Sequence, residues 1–181
     1  IGSILDVNSL EGDDRAFLQE VRQLAEGYVG AAKAANVAIV NGEVAELGNR
    51  IGGYGSFNYN WGAAVVWFAN RDRLFTGHEI KEGDSLVGLR EEGFRSNGLS
   101  LVRRIMTQHH GEEWHTASGE VGTKSYVDHA LTPSRVYSGA VVEMFGGDGQ
   151  DPKAEVHGVA HVTGGGIPGK LGRVLKPSGL G

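Results

Sequence analysis

His161-Val162-Thr163-Gly164-Gly165-Gly166 is the stretch on which the reading of this sequence turns. The glycine triplet follows a short apolar run from Val156 to Val162 and precedes an amphipathic segment, Leu171-Gly172-Arg173-Val174-Leu175. A strand that empties into side-chain-free backbone and then a helix start aims several N–H groups at one spot. Backbone binds a phosphate or carboxylate in that way. The same residues also suit a flexible turn, because glycine is the default wherever φ must be positive. On the triplet alone both readings stay open.

Composition narrows the classes. The chain has 181 residues, 40% apolar and 22% charged, which is globular and not disordered. That length fits one large domain or two small ones. Its 30 glycines fall in loops without a collagen period, so a loop-rich α/β protein is expected. A formal charge of −5 argues against general binding to nucleic acid or an anionic membrane. There is no cysteine, which removes disulfides and thiolate metal sites. No apolar run reaches the ~18 residues of a bilayer span. Ile1 enters on a strand-like run with neither start methionine nor signal peptide, so the chain reads as a segment of something longer.

Along the chain, Ile4-Leu5-Asp6-Val7 is a strand candidate. Asp13-Asp14 supplies an N-cap, and Phe17, Val21, Leu24, Tyr28 and Ala31-Ala32 recur at helical spacing, predicting a helix over about 14–35. Gly27 and Gly30 weaken its middle, and close packing on a sheet would explain them. Val37–Val40 and the run from Trp61 to Ala69 read as buried strands, with 41–55 irregular between them. A polar connector at 70–83 suggests a domain boundary. Ser85–Leu89 then reads as a strand, Leu99–Met106 as a helix, 108–124 as a polar loop and 146–152 as a turn-rich link, while 134–142 carries mixed signals.

Three stretches carry candidate chemistry. Glu43 and Glu46 follow an expected strand, where ligands gather in open α/β sheets; they suit Mg²⁺ or an ordinary solvated loop. Arg95-Ser96-Asn97 sets a guanidinium, a hydroxyl and an amide at a helix start, where Ser96 or Asn97 would also serve as the N-cap. His109-His110-Gly111-Glu112-Glu113-Trp114-His115 misses the helical zinc spacings and reads as a solvated loop. Gly119–Lys124 has a phosphate-loop look without the Walker spacing.

Taken together, the motifs resemble the aminoimidazole ribonucleotide synthetase family. Asn41–Leu47 is similar to its Gly-Gly-Glu-Thr-Ala-Glu-Met segment, and Arg95-Ser96-Asn97-Gly98-Leu99-Ser100-Leu101-Val102-Arg103-Arg104 to its His-Ser-Asn-Gly-Tyr-Ser-Leu-Val-Arg-Lys. Leu131-Thr132-Pro133-Ser134-Arg135-Val136-Tyr137 resembles Leu-Glu-Pro-Thr-Arg-Ile-Tyr, and the opening hexapeptide resembles His-Ile-Thr-Gly-Gly-Gly. Arg173-Val174-Leu175 resembles part of Pro-Arg-Val-Leu-Pro. Arg95 stands where the family has histidine, Asn41 where it has glycine and Val44 where it has threonine. The histidine-to-arginine change removes a proton shuttle and strengthens phosphate binding.

The resemblance implies a two-domain α/β (α+β) fold with mixed sheets flanked by helices, present here as a fragment. Residues 1–80 would end an ATP-binding, dimerising domain, and 81–181 would form most of the second, with the site between them. It implies an ATP-dependent cyclo-ligase of purine synthesis, cytoplasmic and homodimeric. The γ-phosphoryl of ATP activates an amide oxygen of a formylglycinamidine nucleotide, and an internal nitrogen then displaces phosphate and closes the imidazole ring. Glu43 and Glu46 would lie near Mg²⁺ and the nucleotide. Arg95, Ser96 and Asn97 would meet the small-molecule substrate or its phosphate. Thr163, Gly164, Gly165 and Gly166 would cradle an anion, with His161 either donating a hydrogen bond there or packed in the core. Related enzymes acting on selenide, thiamine phosphate or hydrogenase-maturation substrates share the fold, as would a non-catalytic nucleotide binder.

Overall fold

Strand β1 (Gly2–Val7) is paired on both sides, parallel to β2 (Asn41–Glu46) and antiparallel to β3 (Tyr59–Ala64), giving the order β2-β1-β3. The computed structural model describes residues 1–9, 15–116, 119–147 and 149–181. The expected Asp13-Asp14 cap lies outside them. Helix α1 (Arg15–Ala35) joins the parallel pair, so β1-α1-β2 is a crossover unit. Phe17, Val21, Leu24, Tyr28 and Ala32 are its less exposed positions, at the spacing the sequence prescribes. Phe17 meets Phe57 with ring centroids 5.3 Å apart, and Tyr28 meets Trp61 at 5.0 Å. Leu5 and Val7 are buried in the middle strand.

The strands are offset from the apolar runs. Val37–Val40 forms no strand; the parallel ladder instead aligns Gly2 with Asn41 and Val7 with Glu46. β3 likewise starts at Tyr59 and ends at Ala64, leaving Val65 to Phe68 outside the sheet and Phe68 98% exposed. Ser85–Leu89 and Val156–Val162 are also irregular. β-branched runs report what gains from burial, whereas a ladder partner decides what becomes a strand. Val66, Trp67, Leu86 and Val87 are likewise exposed. Much apolar surface in these runs is therefore open.

Packing divides the chain into two units, Ile1–Asn70 with Val136–Gln150, and Arg71–Arg135 with Asp151–Gly181. In the first, the mixed stretch resolves as helix α4 (Ser138–Phe145), and the Ser138 hydroxyl donates to the Ala35 carbonyl at the end of α1. In the second, α2 (Arg95–His110) runs longer than the sequence pattern at both ends. A two-residue hairpin, β4 (Glu120–Val121) and β5 (Lys124–Ser125), turns at Gly122-Thr123, so the phosphate-loop look-alike is a hairpin. Short α3 (Tyr126–Ala130) follows with a Ser125/Asp128 capping box, and α5 (Gly166–Leu175) begins inside the glycine triplet.

Glycine serves different ends in the two units. A Cβ on Gly77, at φ +84°, would meet the Val174 carbonyl oxygen at 2.5 Å, so backbone packs directly on backbone at the end of α5. Nothing lies within 4 Å of a Cβ on Gly27 or Gly30, which overturns close packing as their explanation. Gly77→Ala should destabilise by roughly 2–3 kcal/mol. Gly30→Ala should be neutral or stabilise by up to ~1 kcal/mol. Urea denaturation of both variants checks this, and equal midpoints would contradict it.

Candidate functional site

The Arg95 corner is built around a carboxylate. Arg95 opens α2 at φ +52°, a left-handed conformation that costs a non-glycine residue ~1–2 kcal/mol. Its guanidinium pairs with Glu91, four residues earlier in the irregular segment before the helix. Glu91 also accepts the Glu92 N–H at 2.9 Å and the Arg135 N–H at 3.3 Å, while the Arg135 guanidinium pairs with Glu92. The Glu92 N–H, the Arg95 guanidinium and the Arg135 N–H outweigh partial desolvation and hold the Glu91 carboxyl down at about 2. Gly93 lets the chain approach the next loop, since a Cβ there would meet the Thr132 carbonyl oxygen at 2.9 Å. Two separate sequence motifs, 95–104 and 131–137, thus meet through one acidic pair.

Ser96 and Asn97 sit exposed inside the first turn of α2 and neither caps it. An N-cap needs extended backbone, and Phe94 at the cap position is already in the right-handed helical region. No acidic residue lies in that turn. The N–H groups of that turn form the positive end of the helix, where an anion is favoured in general.

The glycine triplet also heads a helix. Gly165 caps α5 at φ +94° and Gly166 follows at φ +62°, conformations that glycine adopts freely. The Gly166 N–H turns back to the Thr163 carbonyl at 2.9 Å, and Pro168 has no N–H to offer. The cradle is therefore narrower than three bare glycines suggest, with the Ile167 N–H the next along the turn. His161 is exposed, which removes the core-packed alternative for it. The preceding residues 156–162 are irregular and not the expected strand. Both anion-accepting helix ends belong to the second unit.

In the first unit, a polar cleft of about 530 Å³ lies at the carboxyl ends of the parallel strands β1 and β2. Asn8, Ser9, Glu46, Asn49 and Asn58 supply its polar lining. The Ser9 hydroxyl donates to Glu46 at 3.0 Å. Asn8 is structural: its carboxamide oxygen takes the Asn58 N–H at 2.9 Å and its NH₂ reaches the Ser56 carbonyl at 2.8 Å. Successive strand side chains alternate faces, so Glu43, opposite Ile4, and Glu46, opposite Val7, point to opposite sides of the sheet. Only Glu46 lines the cleft, and the register does not bring the two carboxylates to one ion. Both stand on β2 itself, not in the expected loop after a strand.

Among the described residues no group of three histidine or carboxylate side chains is placed to hold a metal ion. His109 and His110 end α2 instead of lying in a loop, and the His110 ring stacks on Tyr126 at 4.9 Å. The residues that sequence reading missed are Glu91, Glu92 and Arg135. Neither the Glu91–Arg95 pair, which forms outside a regular helix, nor the Glu92–Arg135 pair across 43 positions carried a local signal.

Residues 81–181 match the family model described as AIR synthase related protein, C-terminal domain. The chain belongs to this family. Proteins named phosphoribosylformylglycinamidine cyclo-ligase are similar over most of its length. The Sorangium cellulosum protein is 36% identical over 161 residues, covering 89% of this chain and 42% of the relative. The Methanothermobacter thermautotrophicus protein is 35% identical over 181 residues, 98% of this chain and 48% of the relative. The Symbiobacterium thermophilum protein is 33% identical over 173 residues, with 94% and 46% coverage. The chain thus spans under half the length of these relatives. No helix among the described residues is long and apolar enough to cross a membrane.

The linkage at Glu91 has a definite sign. Its folded value is depressed from 4.5 to about 2, so its contribution is full above the unfolded value and is lost as pH falls through the folded one. Glu91→Gln should therefore lower stability to urea at neutral pH, with the difference from wild type shrinking below 4.5 and vanishing near 2. A difference that does not vary with pH would contradict the clamp.

Proposed function

We propose that this chain is part of an ATP-dependent cyclo-ligase that converts formylglycinamidine ribonucleotide to aminoimidazole ribonucleotide with release of ADP and phosphate. The relatives bearing the cyclo-ligase name support this reading. The observation that carries it is the Arg95–Ser96–Asn97 turn, a helix start with no acid in its first turn and an arginine whose guanidinium is fixed by Glu91. Arg95, Ser96 and Asn97 bind the substrate phosphate in this proposal, and Thr163 with Gly164, Gly165 and Gly166 cradles the other side of the same group. His161, exposed beside them, donates a hydrogen bond.

ATP with Mg²⁺ supplies the phosphoryl group that makes the amide oxygen a leaving group. One carboxylate beside hydroxyl and carboxamide oxygens fits a largely hydrated Mg²⁺, which keeps several waters and needs few protein ligands. Glu46 and Ser9 would hold it; Glu43, on the opposite face, would act from a separate position. Catalysis of this kind rests on positioning and charge stabilisation, which backbone N–H groups and a fixed guanidinium provide. We take residues 1–80 as the end of the nucleotide-binding domain and 81–181 as most of the second. A cytoplasmic homodimer pairing through first-domain strands accords with the open edges of β2 and β3 among the described residues.

The test is an assay of the full-length protein carrying this chain with formylglycinamidine ribonucleotide and ATP. Imidazole product with ADP and phosphate is expected, and the 181-residue chain alone should be inactive. ATP hydrolysis with a different acceptor, or nucleotide binding without turnover, would overturn the assignment. Arg95→Ala should raise KM for the phosphorylated substrate roughly 10–100-fold, the worth of a hydrogen bond to a charged group. An unchanged KM would remove Arg95 from the phosphate.

A further inference from the structure

His157 is bonded at both ring nitrogens. Nδ1 lies 2.7 Å from Asp84 Oδ2 and Nε2 lies 2.8 Å from Glu155 Oε1. An ionised carboxylate only accepts, so each ring nitrogen must donate, and only the imidazolium carries two N–H groups. A neutral ring would satisfy one contact and turn a lone pair toward the other carboxylate. Asp84 is fixed in turn: the Lys81 N–H donates to it at 3.0 Å, and its own N–H donates to the Lys81 carbonyl at 3.2 Å.

The contact joins two stretches far apart in sequence. Residues 155–158 lie on the 80–84 turn, and Gly158 permits this, because a Cβ there would meet Ile80 Cδ1 at 2.6 Å and Val174 Cγ1 at 3.3 Å. The chain then runs five residues to the Thr163 carbonyl, which holds the Gly166 N–H at the start of α5. We infer that His157 is a proton-dependent positioning residue: its imidazolium ties the segment entering the glycine triplet to the 80–84 turn, and loss of the ring proton unties it.

The charged groups that act here are Asp84, Glu155 and Lys81, the last favouring the ionised form of both carboxylates. Helix α5 contributes the apolar Val174 at this contact. The bond to Asp84, then that to Glu155, raises His157 above its ordinary 6.5. A raised histidine gives stabilisation that is full below its unfolded value and is lost as pH rises through the folded one. Asp84 and Glu155 are lowered, so the acid limit falls below the usual carboxylate range. The tie therefore holds at mildly acid pH and opens on the alkaline side. It stands on this geometry and not on the proposed activity.

Nitrogen-15 ring shifts of histidine in the full-length protein test it, with His157→Gln assigning the signal. Both ring nitrogens should be protonated at about pH 6, and the midpoint should lie above the ordinary histidine value. Asp84→Asn and Glu155→Gln should each lower that midpoint. Exchange of the Gly166 N–H, corrected for intrinsic rate, should quicken by up to roughly tenfold per pH unit between the ordinary histidine value and the folded midpoint and level off above it, with a smaller rise in Glu155→Gln. If Asp84→Asn fails to fold, Glu155→Gln carries the test, since that side chain is 81% exposed. A wild-type midpoint at or below the ordinary value, a midpoint unmoved in Glu155→Gln, or Gly166 protection unchanged from about pH 6 up to the midpoint would each overturn it.

Discussion

One carboxylate organises the candidate phosphate corner. Glu91 takes an N–H from its neighbour, an N–H from Arg135 and the guanidinium of Arg95, so three points on the chain are referred to a single pair of oxygens. A guanidinium on a flexible stem is a poor recognition element until its rotamer freedom has been removed. Glu91 removes it at Arg95 and sets the cation beside a helix start with no acid in its first turn. The Arg95 backbone itself stands at φ +52°, a conformation uncommon for a non-glycine residue.

The first unit follows a different constraint. β1 is held from both sides, and its two registers place Asn8, Ser9 and Glu46 at one end of the parallel pair. Val7, wholly buried, anchors that end of the sheet. The alternation of strand side chains then separates Glu43 from Glu46 and leaves one carboxylate at the cleft. A three-residue spacing that suits two ligands on a helix or loop puts them on opposite faces of a strand. That rule changes the metal reading without any change of residue.

Much of the fold was legible where periodicity and burial agree. The face of α1 was, because Phe17 and Tyr28 meet the Phe57 and Trp61 rings directly. The helices at 95–110 and 166–175 were seen in outline together with their starts, while the cap expected at Ser96 or Asn97 was not formed. Strand positions were missed by about four residues in β2 and two in β3: polar Asn41–Glu46 pairs with β1 while apolar Val37–Val40 does not. Local sequence states a residue's affinity for burial but not its ladder partner. Long-range ionic contacts were invisible for the same reason. Nothing in Glu91, Arg135, Asp84 or His157 alone announces the residue it meets, although the glycines at 93 and 158 mark where the backbones approach.

The proposed convergence of the Arg95–Asn97 turn and the glycine triplet on one phosphate is tested most directly by a crystal structure of the full-length protein with its phosphorylated nucleotide substrate bound. Phosphate oxygens within hydrogen-bond reach of both the α2 turn and the Gly164–Gly166 backbone are expected. A phosphate that touches neither, or that is held by one while the other faces solvent, would contradict it.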